Sequence, residues 1–160
     1  MDEASSKCPV LRIALWEPEI PPNTGNVARL CAATGAELHL IGRLGFRLDD
    51  RKLRRAGLEY WSQLVIHQHV DLAAFENSLA GVRLFAFSAH SRRRYTAVKY
   101  EHGDCLLFGG ESHGLPASFL ERMGTNALCL PMPADTVRSL NLATAAGIAT
   151  YEALRQIYGW

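Results

Sequence analysis

Asn26 and Arg29 are the first residues in this sequence whose types and spacing suggest chemistry. They follow a proline-rich loop, Glu17–Pro22, and a separation of three residues places them on one face of a predicted helix. Arg29 is flanked by apolar residues and is the only charged residue between positions 21 and 35. Its guanidinium is therefore either paired with a carboxylate or directed at a phosphate group of a ligand.

A second candidate is the glycine-rich turn at residues 108–116, which reads FGGESHGLP and contains Glu111. Glycines let the backbone approach a ligand closely, and a helix that starts after such a turn offers unpaired N–H groups. The glycines at 109, 110 and 114 do not fit the Gly-x-Gly-x-x-Gly pattern, and no acid closes the next strand, which excludes a dinucleotide-binding fingerprint. A turn that needs glycine only for its backbone stays open as an alternative.

A third candidate is the loop at residues 130–142, which reads LPMPADTVRSLNL. Its two prolines favour an extended conformation. Ser139 or Asn141 can cap the following helix and also present a hydroxyl or an amide to a ligand. Capping explains one of these two residues and leaves the other without a structural reason.

The histidines do not predict a metal site. Of the six, only His67 and His69 are close in sequence, and no cysteine or carboxylate ligand set accompanies them. No Gly-x-Ser-x-Gly motif marks a serine nucleophile. The four cysteines, at positions 8, 31, 105 and 129, form no Cys-x-x-Cys pair, so we expect free, buried thiols in a reducing cytosol.

Two basic segments interrupt an otherwise acidic chain. Residues 43–55 and residues 92–99 each carry a net charge of +4, and because the whole chain carries +1, the remainder carries −7. Such asymmetry is typical of a protein that binds a polyanion on one face, although two solvated surface segments would give the same pattern. The consecutive residues Arg92, Arg93 and Arg94 favour phosphate contacts.

The composition is typical of one globular domain. A chain of 160 residues with 48% hydrophobic and 21% charged residues buries roughly 70% of its unfolded surface, which excludes a disordered or coiled-coil protein. We predict one domain over residues 1–160, with residues 1–9 as a disordered tail. The N-terminus lacks the features of a secretory signal, and no apolar run reaches the roughly 20 residues of a membrane span, so we expect a cytoplasmic protein.

Strands alternate with helices along the chain, which predicts an α/β domain with a mostly parallel sheet. Strands are predicted at 10–16, 37–41, 83–88, 105–108 and 127–130. A helix is predicted from Asn23 to Gly35, with Asn23 or Thr24 as its cap. Further helices are predicted from Asp49 to Gly57, at 71–80, at 116–123 and from near Ser139 onward. Ligands of such sheets bind beyond the carboxyl ends of the strands, where the three candidate loops lie.

Four ordered segments resemble a known family. They read EPEIPPNTGNVARLCAATG at 17–35, DDRKLRRAGLEYW at 49–61, FGGESHGLPASFL at 108–120 and LPMPADTVRSLNLATAAGIATYEALRQ at 130–156. Together they resemble the SpoU branch of the SPOUT methyltransferase superfamily, and within it the minimal enzymes that methylate the 2'-hydroxyl of the tRNA wobble ribose. The resemblance covers the chain from Leu11 to about Tyr158.

The resemblance implies an α/β fold with a C-terminal trefoil knot, S-adenosylmethionine as cofactor, and a homodimer whose active sites take residues from both subunits. Periodicity alone predicts neither the knot nor the dimer. The implied reaction is methyl transfer to the wobble cytidine or modified uridine of the tRNA anticodon stem-loop. The residues implied to contact the methyl donor are Phe87, Ser88, Gly109, Leu130, Met132, Ser139 and Leu140.

The polar residues implied to form the catalytic site are Asn26, Arg29, Glu111, Ser139 and Asn141. Arg29 would come from the partner subunit, and since a guanidinium is a weak base, orientation and charge stabilisation are the roles that fit it. Together with the basic segments, the resemblance also implies tRNA phosphate contacts. These involve Arg47, Arg51, Lys52, Arg54, Arg55, Arg92, Arg93, Arg94 and Arg138.

Three alternatives stay open. The first is a 2'-O-methyltransferase that acts on another tRNA position or on ribosomal RNA. The second is a dimer that binds RNA without transferring methyl groups. The third is a generic nucleotide-binding domain, although the sequence lacks the dinucleotide fingerprint.

Overall fold

A seven-stranded parallel sheet forms the centre of the protein in the computed structural model, which describes residues 7–49, 51–57 and 61–160. The strands are β1 (Arg12–Trp16), β2 (Glu37–Ile41), β3 (Ile66–His69), β4 (Leu84–Phe87), β5 (Arg93–Arg94), β6 (Cys105–Gly109) and β7 (Ala127–Cys129). Their order across the sheet is β3-β2-β1-β6-β4-β7-β5, and each neighbouring pair is parallel. Most of the predicted tail, residues 1–6, lies outside the described residues.

In the described residues four α-helices lie between strands and a fifth follows the last strand. They are α1 (Pro21–Thr34), α2 (Arg51–Gly57), α3 (Leu72–Ser78), α4 (Ala117–Met123) and α5 (Leu142–Tyr158). Short 3-10 helices lie at Trp61–Gln63, Tyr95–Ala97 and Gly124–Asn126. Within the described ranges, no helix is both long and apolar enough to cross a membrane.

Both faces of the sheet are covered, because consecutive strand residues point to opposite sides. On one face, Ile13 and Leu15 belong to a core that includes residues of α1 and α5. On the other face, Ala14 packs in a second core with Phe75 of α3 and Phe119 of α4. This two-layered burial confirms the predicted α/β class with helices on both sides of the sheet.

Helix α1 begins two residues before the predicted start, and the prediction that Asn23 or Thr24 caps it is wrong. Pro21 and Pro22 occupy its first turn, where a missing N–H group costs no hydrogen bond. The N–H groups of Asn23 and Thr24 donate to the carbonyl of Ile20 at 3.1 and 3.4 Å. The prolines therefore belong to the helix instead of preceding it.

Helix α5 begins three residues after the predicted start at Ser139. Asn141 is its N-cap, and its side-chain oxygen accepts the N–H groups of Ala143 and Thr144 at 2.9 and 3.2 Å. Helix α2 begins at Arg51, and Asp50, predicted to open it with Asp49, lies outside the described residues.

Strands β3 and β5 at the two edges of the sheet were not predicted. Strand β3 reads Ile-His-Gln-His, and β5 consists of two exposed arginines. Each pairs with a single neighbour, so neither needs the continuous apolar sequence that marks a buried parallel strand.

The described thiols are all free, but they are not all buried. Cys31 and Cys105 are buried and Cys129 is half-buried, whereas Cys8 is exposed. Burial raises the pKa of Cys31 to about 12, which keeps that thiol protonated and unreactive.

His39 on β2 is a buried polar residue on the second face of the sheet. Its ring stacks on those of His67 and His69 of β3 and meets the edge of Phe75. Burial and then the neighbouring His67 lower the pKa of His39 to about 3, so the ring is neutral near pH 7.

The turn after β6 brings two pieces of backbone into close contact. The N–H group of Gly114 donates to the carbonyl of Gly110 at 2.9 Å. A Cβ atom on Gly109 would lie 2.2 Å from the carbonyl carbon of Gly114 and 2.4 Å from the nitrogen of Leu115. Because both atoms belong to the backbone, only glycine fits at position 109 without a shift of the turn.

Gly109→Ala is therefore expected to destabilise the protein by about 1–3 kcal/mol or more, since the turn must move to accept the methyl group. Urea unfolding followed by circular dichroism measures this change. Gly147→Ala in α5 is the matched control, because a Cβ there meets nothing within 4 Å and removes a helix-interior glycine. Equal stability of the two variants would contradict the close approach at Gly109.

Candidate active site

A cavity of about 340 Å³ opens at the carboxyl ends of β4, β6 and β7, the region where parallel sheets bind ligands. The loops after β1, β4, β6 and β7 supply its walls. All seven residues that the sequence suggests for methyl-donor contacts line it: Phe87, Ser88, Gly109, Leu130, Met132, Ser139 and Leu140. The structure therefore brings together residues that span more than fifty positions of sequence.

The cavity walls are mostly apolar. Phe87 and Phe108 stack with ring centroids 4.7 Å apart, and Leu130, Met132 and Leu140 also line the cavity. Ser88 and Ser139 also line the cavity. An apolar cavity with a few polar groups is suited to a flat heterocycle that carries hydrogen-bonding atoms.

Three side chains on the cavity wall form a hydrogen-bonded chain, Glu111–Asn23–Asn141. One carboxylate oxygen of Glu111 accepts the side-chain NH₂ of Asn23 at 3.1 Å. The side-chain oxygen of Asn23 accepts the NH₂ of Asn141 at 2.9 Å. Since Asn141 also caps α5, this chain connects the glycine turn, the start of α1 and the start of α5.

The Glu111 carboxylate also binds the backbone of the loop after β1. It accepts the N–H group of Glu19 at 2.8 Å and that of Ile20 at 3.1 Å. In the reverse direction, the carboxylate of Glu19 accepts the hydroxyl of Ser112 at 2.6 Å and its N–H group at 3.0 Å. These bonds from the Ser112 side chain and backbone lower the pKa of Glu19.

The first residue of this loop has an uncommon backbone conformation. Glu17 has a φ of 48°, the only positive value at a non-glycine residue in the described part of the chain. Its N–H group donates to the carbonyl of Ile41 at 2.8 Å, and a Cβ on Gly110 would approach its carbonyl oxygen to 2.4 Å. The hydrogen bond to β2 and the close approach of Gly110, the residue after β6, therefore hold Glu17 in a conformation that costs free energy on its own.

Asn26 and Arg29 lie apart from the cavity of their own chain. Both are exposed on α1, on the same helix face as predicted, and neither lines the cavity. Glu111, Ser139 and Asn141 do line it. The structure therefore separates two of the five suggested catalytic residues from the other three.

The basic residues suggested for RNA contacts lie on the surface in three places. Arg51, Lys52 and Arg55 are exposed on α2, while the side chain of Arg54 lies outside the described residues. Arg47 lies 3.4 Å from Asp49, and both side chains are largely exposed. Exposed pairs of this kind contribute little to stability, so Arg47 remains able to contact a phosphate.

The other basic residues follow β4 or precede α5. Arg92, Arg93 and Arg94 are exposed, and so is Arg138. Arg93 donates to the carbonyl of Thr125 at 2.7 Å, which ties it to the 3-10 helix before β7. Within the arginine triplet, Arg93 therefore has a structural contact of its own.

Asn23 is the site residue that sequence reasoning missed. It was predicted to cap α1, whereas it is 8% exposed, lines the cavity and occupies the middle of the Glu111–Asn23–Asn141 chain. The sequence feature that could have predicted this is the position of Asn23 in the first turn of a helix after a buried strand. A side chain there can face the ligand crevice of the sheet.

Comparisons with known proteins agree with this geometry. Residues 10–151 match the family described as SpoU rRNA Methylase. The chain is 46% identical over 149 residues to the tRNA (cytidine(34)-2'-O)-methyltransferase of Escherichia coli strain K12, which covers 92% of this chain and 94% of that protein.

Solved structures also share the fold. One from a study of 2-OH methylation of C/U34 on tRNA superposes with a TM-score of 0.90 at 50% identity, covering 95% of this chain and 99% of that chain. The AdoMet-bound rRNA methyltransferase from Sinorhizobium meliloti superposes with a TM-score of 0.81 at 28% identity, covering 91% of this chain and 56% of that chain. On the extent of the family match and the identity to these relatives, this chain belongs to the SpoU methyltransferase family.

Proposed function

We propose that this chain transfers a methyl group from S-adenosylmethionine to the ribose 2'-hydroxyl of the wobble nucleotide of tRNA, a cytidine or a modified uridine. The observation that carries this proposal is the cavity, which gathers every suggested donor-contact residue at the carboxyl ends of the strands. The names of relatives at 46% identity or more support the choice of substrate.

The residues around the cavity fit S-adenosylmethionine. Phe87, Leu130 and Leu140 offer apolar contact to an adenine ring, and Ser88 and Ser139 offer hydroxyls to its polar atoms. The carboxylate of Glu111 supplies negative charge on the cavity wall, which suits a sulfonium cation. When bound there, S-adenosylmethionine supplies an electrophilic methyl group.

The ribose hydroxyl must be held in line with that methyl group, because it is a weak nucleophile. A guanidinium is suited to this work, since it can bind the adjacent phosphate through two parallel N–H groups and stabilise charge on the reacting oxygen. We assign this role to Arg29, with Asn26 beside it on the same exposed face of α1. Glu111 and Asn141 then act as positioning residues, since their side chains hold the loops of the cavity.

A homodimer accounts for the distance between Arg29 and the cavity of its own chain. Helix α5 exposes Ile148, Tyr151 and Tyr158 at 39%, 49% and 55%, a spacing of three and seven residues that forms one apolar stripe. A second copy of the chain seated on this stripe would cover it and bring a second α1 toward the cavity. The trefoil knot implied by the resemblance stays a prediction.

The exposed arginines and lysine on α2, in the 92–94 segment and at Arg138 provide the phosphate contacts in this proposal. In this proposal these side chains contact the phosphates of a tRNA stem-loop. A tRNA substrate supports a cytoplasmic location for the reaction.

Incubating the purified protein with methyl-labelled S-adenosylmethionine and tRNA from cells that lack wobble ribose methylation tests the function directly. Nuclease mapping is expected to find the label on the wobble ribose, because the relatives are named for position 34. Label at another tRNA position or in ribosomal RNA would keep the chemistry and overturn the target. Binding of tRNA without any binding of S-adenosylmethionine would support the RNA-binding alternative instead.

Arg29→Ala is expected to lower methyl transfer by about 100–1000-fold, since it removes a charged donor from the reacting centre. Binding of S-adenosylmethionine, measured by calorimetry, stays unchanged because Arg29 does not line the cavity. Arg29→Lys keeps the charge but not the planar group, so its rate of methyl transfer is expected to fall between those of the wild type and Arg29→Ala. Arg122→Ala, which removes an exposed arginine paired with Glu76, is the control.

Mixing two inactive variants tests whether Arg29 serves the partner's cavity. Arg29→Ala removes the α1 part of the site and Met132→Arg blocks the cavity part. If the two parts come from different chains, each mixed dimer contains one intact site, so about a quarter of the wild-type activity returns after subunit exchange. No recovery, with mixed dimers demonstrated by mass spectrometry, would place Arg29 at its own cavity.

The double change of Arg92 and Arg94 to alanine tests the RNA surface. Affinity for tRNA is expected to fall, and the slope of log affinity against log salt is expected to decrease by about 1 for each lost phosphate contact. Filter binding at several salt concentrations measures both effects. An unchanged slope, with the donor still bound, would remove this segment from the tRNA surface.

A further inference from the structure

A cluster of imidazole and carboxylate groups lies outside the candidate active site. It is formed by Glu37 and His39 of β2 and by His67 and His69 of β3. The strands pair in parallel with His39 opposite His67, so alternate residues place all four side chains on one face of the sheet. This face carries α3 and α4, whereas the cavity is lined by Phe87 and Phe108 of the opposite core.

Three of these side chains converge on a small volume. Oε2 of Glu37 lies 3.2 Å from Nε2 of His67 and 3.8 Å from Nε2 of His39. One ligand atom from each of the three residues lies within 4.8 Å of the other two. Around a tetrahedral zinc ion with bonds of 2.0–2.2 Å, ligand atoms are about 3.3–3.6 Å apart. The rings of His39 and His67 stack with their planes 21° apart, so the exposed His67 ring must turn out of this stack for both Nε2 atoms to face one ion.

His39 has a ring nitrogen that this arrangement leaves unsatisfied. The residue is 4% exposed, and among the described residues its Nε2 has no hydrogen-bond partner, because 3.8 Å to Glu37 is too long. Its other nitrogen, Nδ1, lies 2.9 Å from Nε2 of His69. With Nδ1 donating to His69, the lone pair of His39 is on Nε2, the nitrogen that lies 3.8 Å from Oε2 of Glu37. An outer hydrogen bond of this kind commonly holds a histidine ligand.

We propose that Glu37, His39 and His67 bind a divalent zinc-type metal ion at the β2–β3 edge of the sheet. Two imidazoles and one carboxylate are a donor set that favours Zn²⁺ over Mg²⁺ or Ca²⁺, which prefer oxygen ligands. His67 and Glu37 are partly exposed, at 44% and 23% of their side chains, which leaves a path for the ion and a position for water.

The ion would connect β3 to the rest of the sheet. Strand β3 is four residues long and pairs with β2 alone, so few contacts hold it. Arg12, which faces Glu37 across the β1–β2 pair, is a nearby cation, and its guanidinium donates to the carbonyl of Gly103 at 2.6 Å. The earlier prediction of no metal site depended on the lack of a carboxylate near His67, and the structure places Glu37 there.

Titration of the chelator-treated full chain with ZnCl₂ and with MgCl₂ tests this site. Calorimetry is expected to find one Zn²⁺ per chain and no Mg²⁺ binding, and Zn²⁺ is expected to raise the melting temperature. Glu37→Gln and His67→Ala are each expected to weaken Zn²⁺ binding at least tenfold. These two positions are chosen because His39 is buried in the core and its replacement could prevent folding.

His90→Ala and Cys8→Ser are the controls, since both remove an exposed potential ligand outside the cluster. Unchanged Zn²⁺ affinity in both controls, together with loss in the two cluster variants, supports the site. No Zn²⁺ binding to the wild-type chain, wild-type Zn²⁺ affinity in Glu37→Gln or His67→Ala, or loss of binding in Cys8→Ser or His90→Ala would each overturn it. Donor binding measured on the same variants is expected to stay unchanged, which separates this site from the methyl-transfer proposal.

Discussion

The Glu111–Asn23–Asn141 chain is the interaction on which the candidate active site depends. The Glu111 carboxylate accepts three hydrogen bonds, two of them from backbone N–H groups, and hydrogen bonds to a charged acceptor contribute about 1.5–3 kcal/mol each. Asn23 in turn accepts a hydrogen bond from Asn141, which caps α5. Three loops that carry the cavity walls are thereby fixed relative to one another, so the shape of the cavity is set before a ligand enters.

The two faces of the sheet carry different sites. The face under α1 and α5 contributes the aromatic pair of the cavity, Phe87 and Phe108. The opposite face, under α3 and α4, carries His39 and the cluster around it. Since neighbouring residues of one strand serve opposite faces, β2 can present Leu38 and Leu40 to one core and the Glu37 and His39 side chains to the other.

Sequence reasoning predicted the parts of the fold that leave a strong local pattern. The strand at Val10–Trp16 was predicted because its sequence is almost continuously apolar, and the strand at Glu37–Ile41 because polar and apolar residues alternate in it. Helix α3 was predicted from residues 71–80, which end before Gly81, and the structure adds Asp71 as its N-cap. The start of α1 was wrong because prolines serve a loop and a first helical turn equally well. Glu37 escaped notice as a neighbour of His67 because strand pairing joins residues thirty positions apart, which no local pattern records.

The hydrogen bonds around the cavity join residues far apart in sequence, and this affects when the cavity forms during folding. Asn141 and Asn23 are 118 residues apart in the chain, and Glu111 and Glu19 are 92 apart, so each hydrogen bond closes a long loop of backbone. Such distant pairings are slow steps in folding, because the entropy of loop closure is lost before the contact forms. During synthesis β1 and β2 emerge before the other strands, and Asn141 emerges after all seven. A nascent chain that has completed β1 to β7 thus holds the strands of the sheet but no finished ligand cavity.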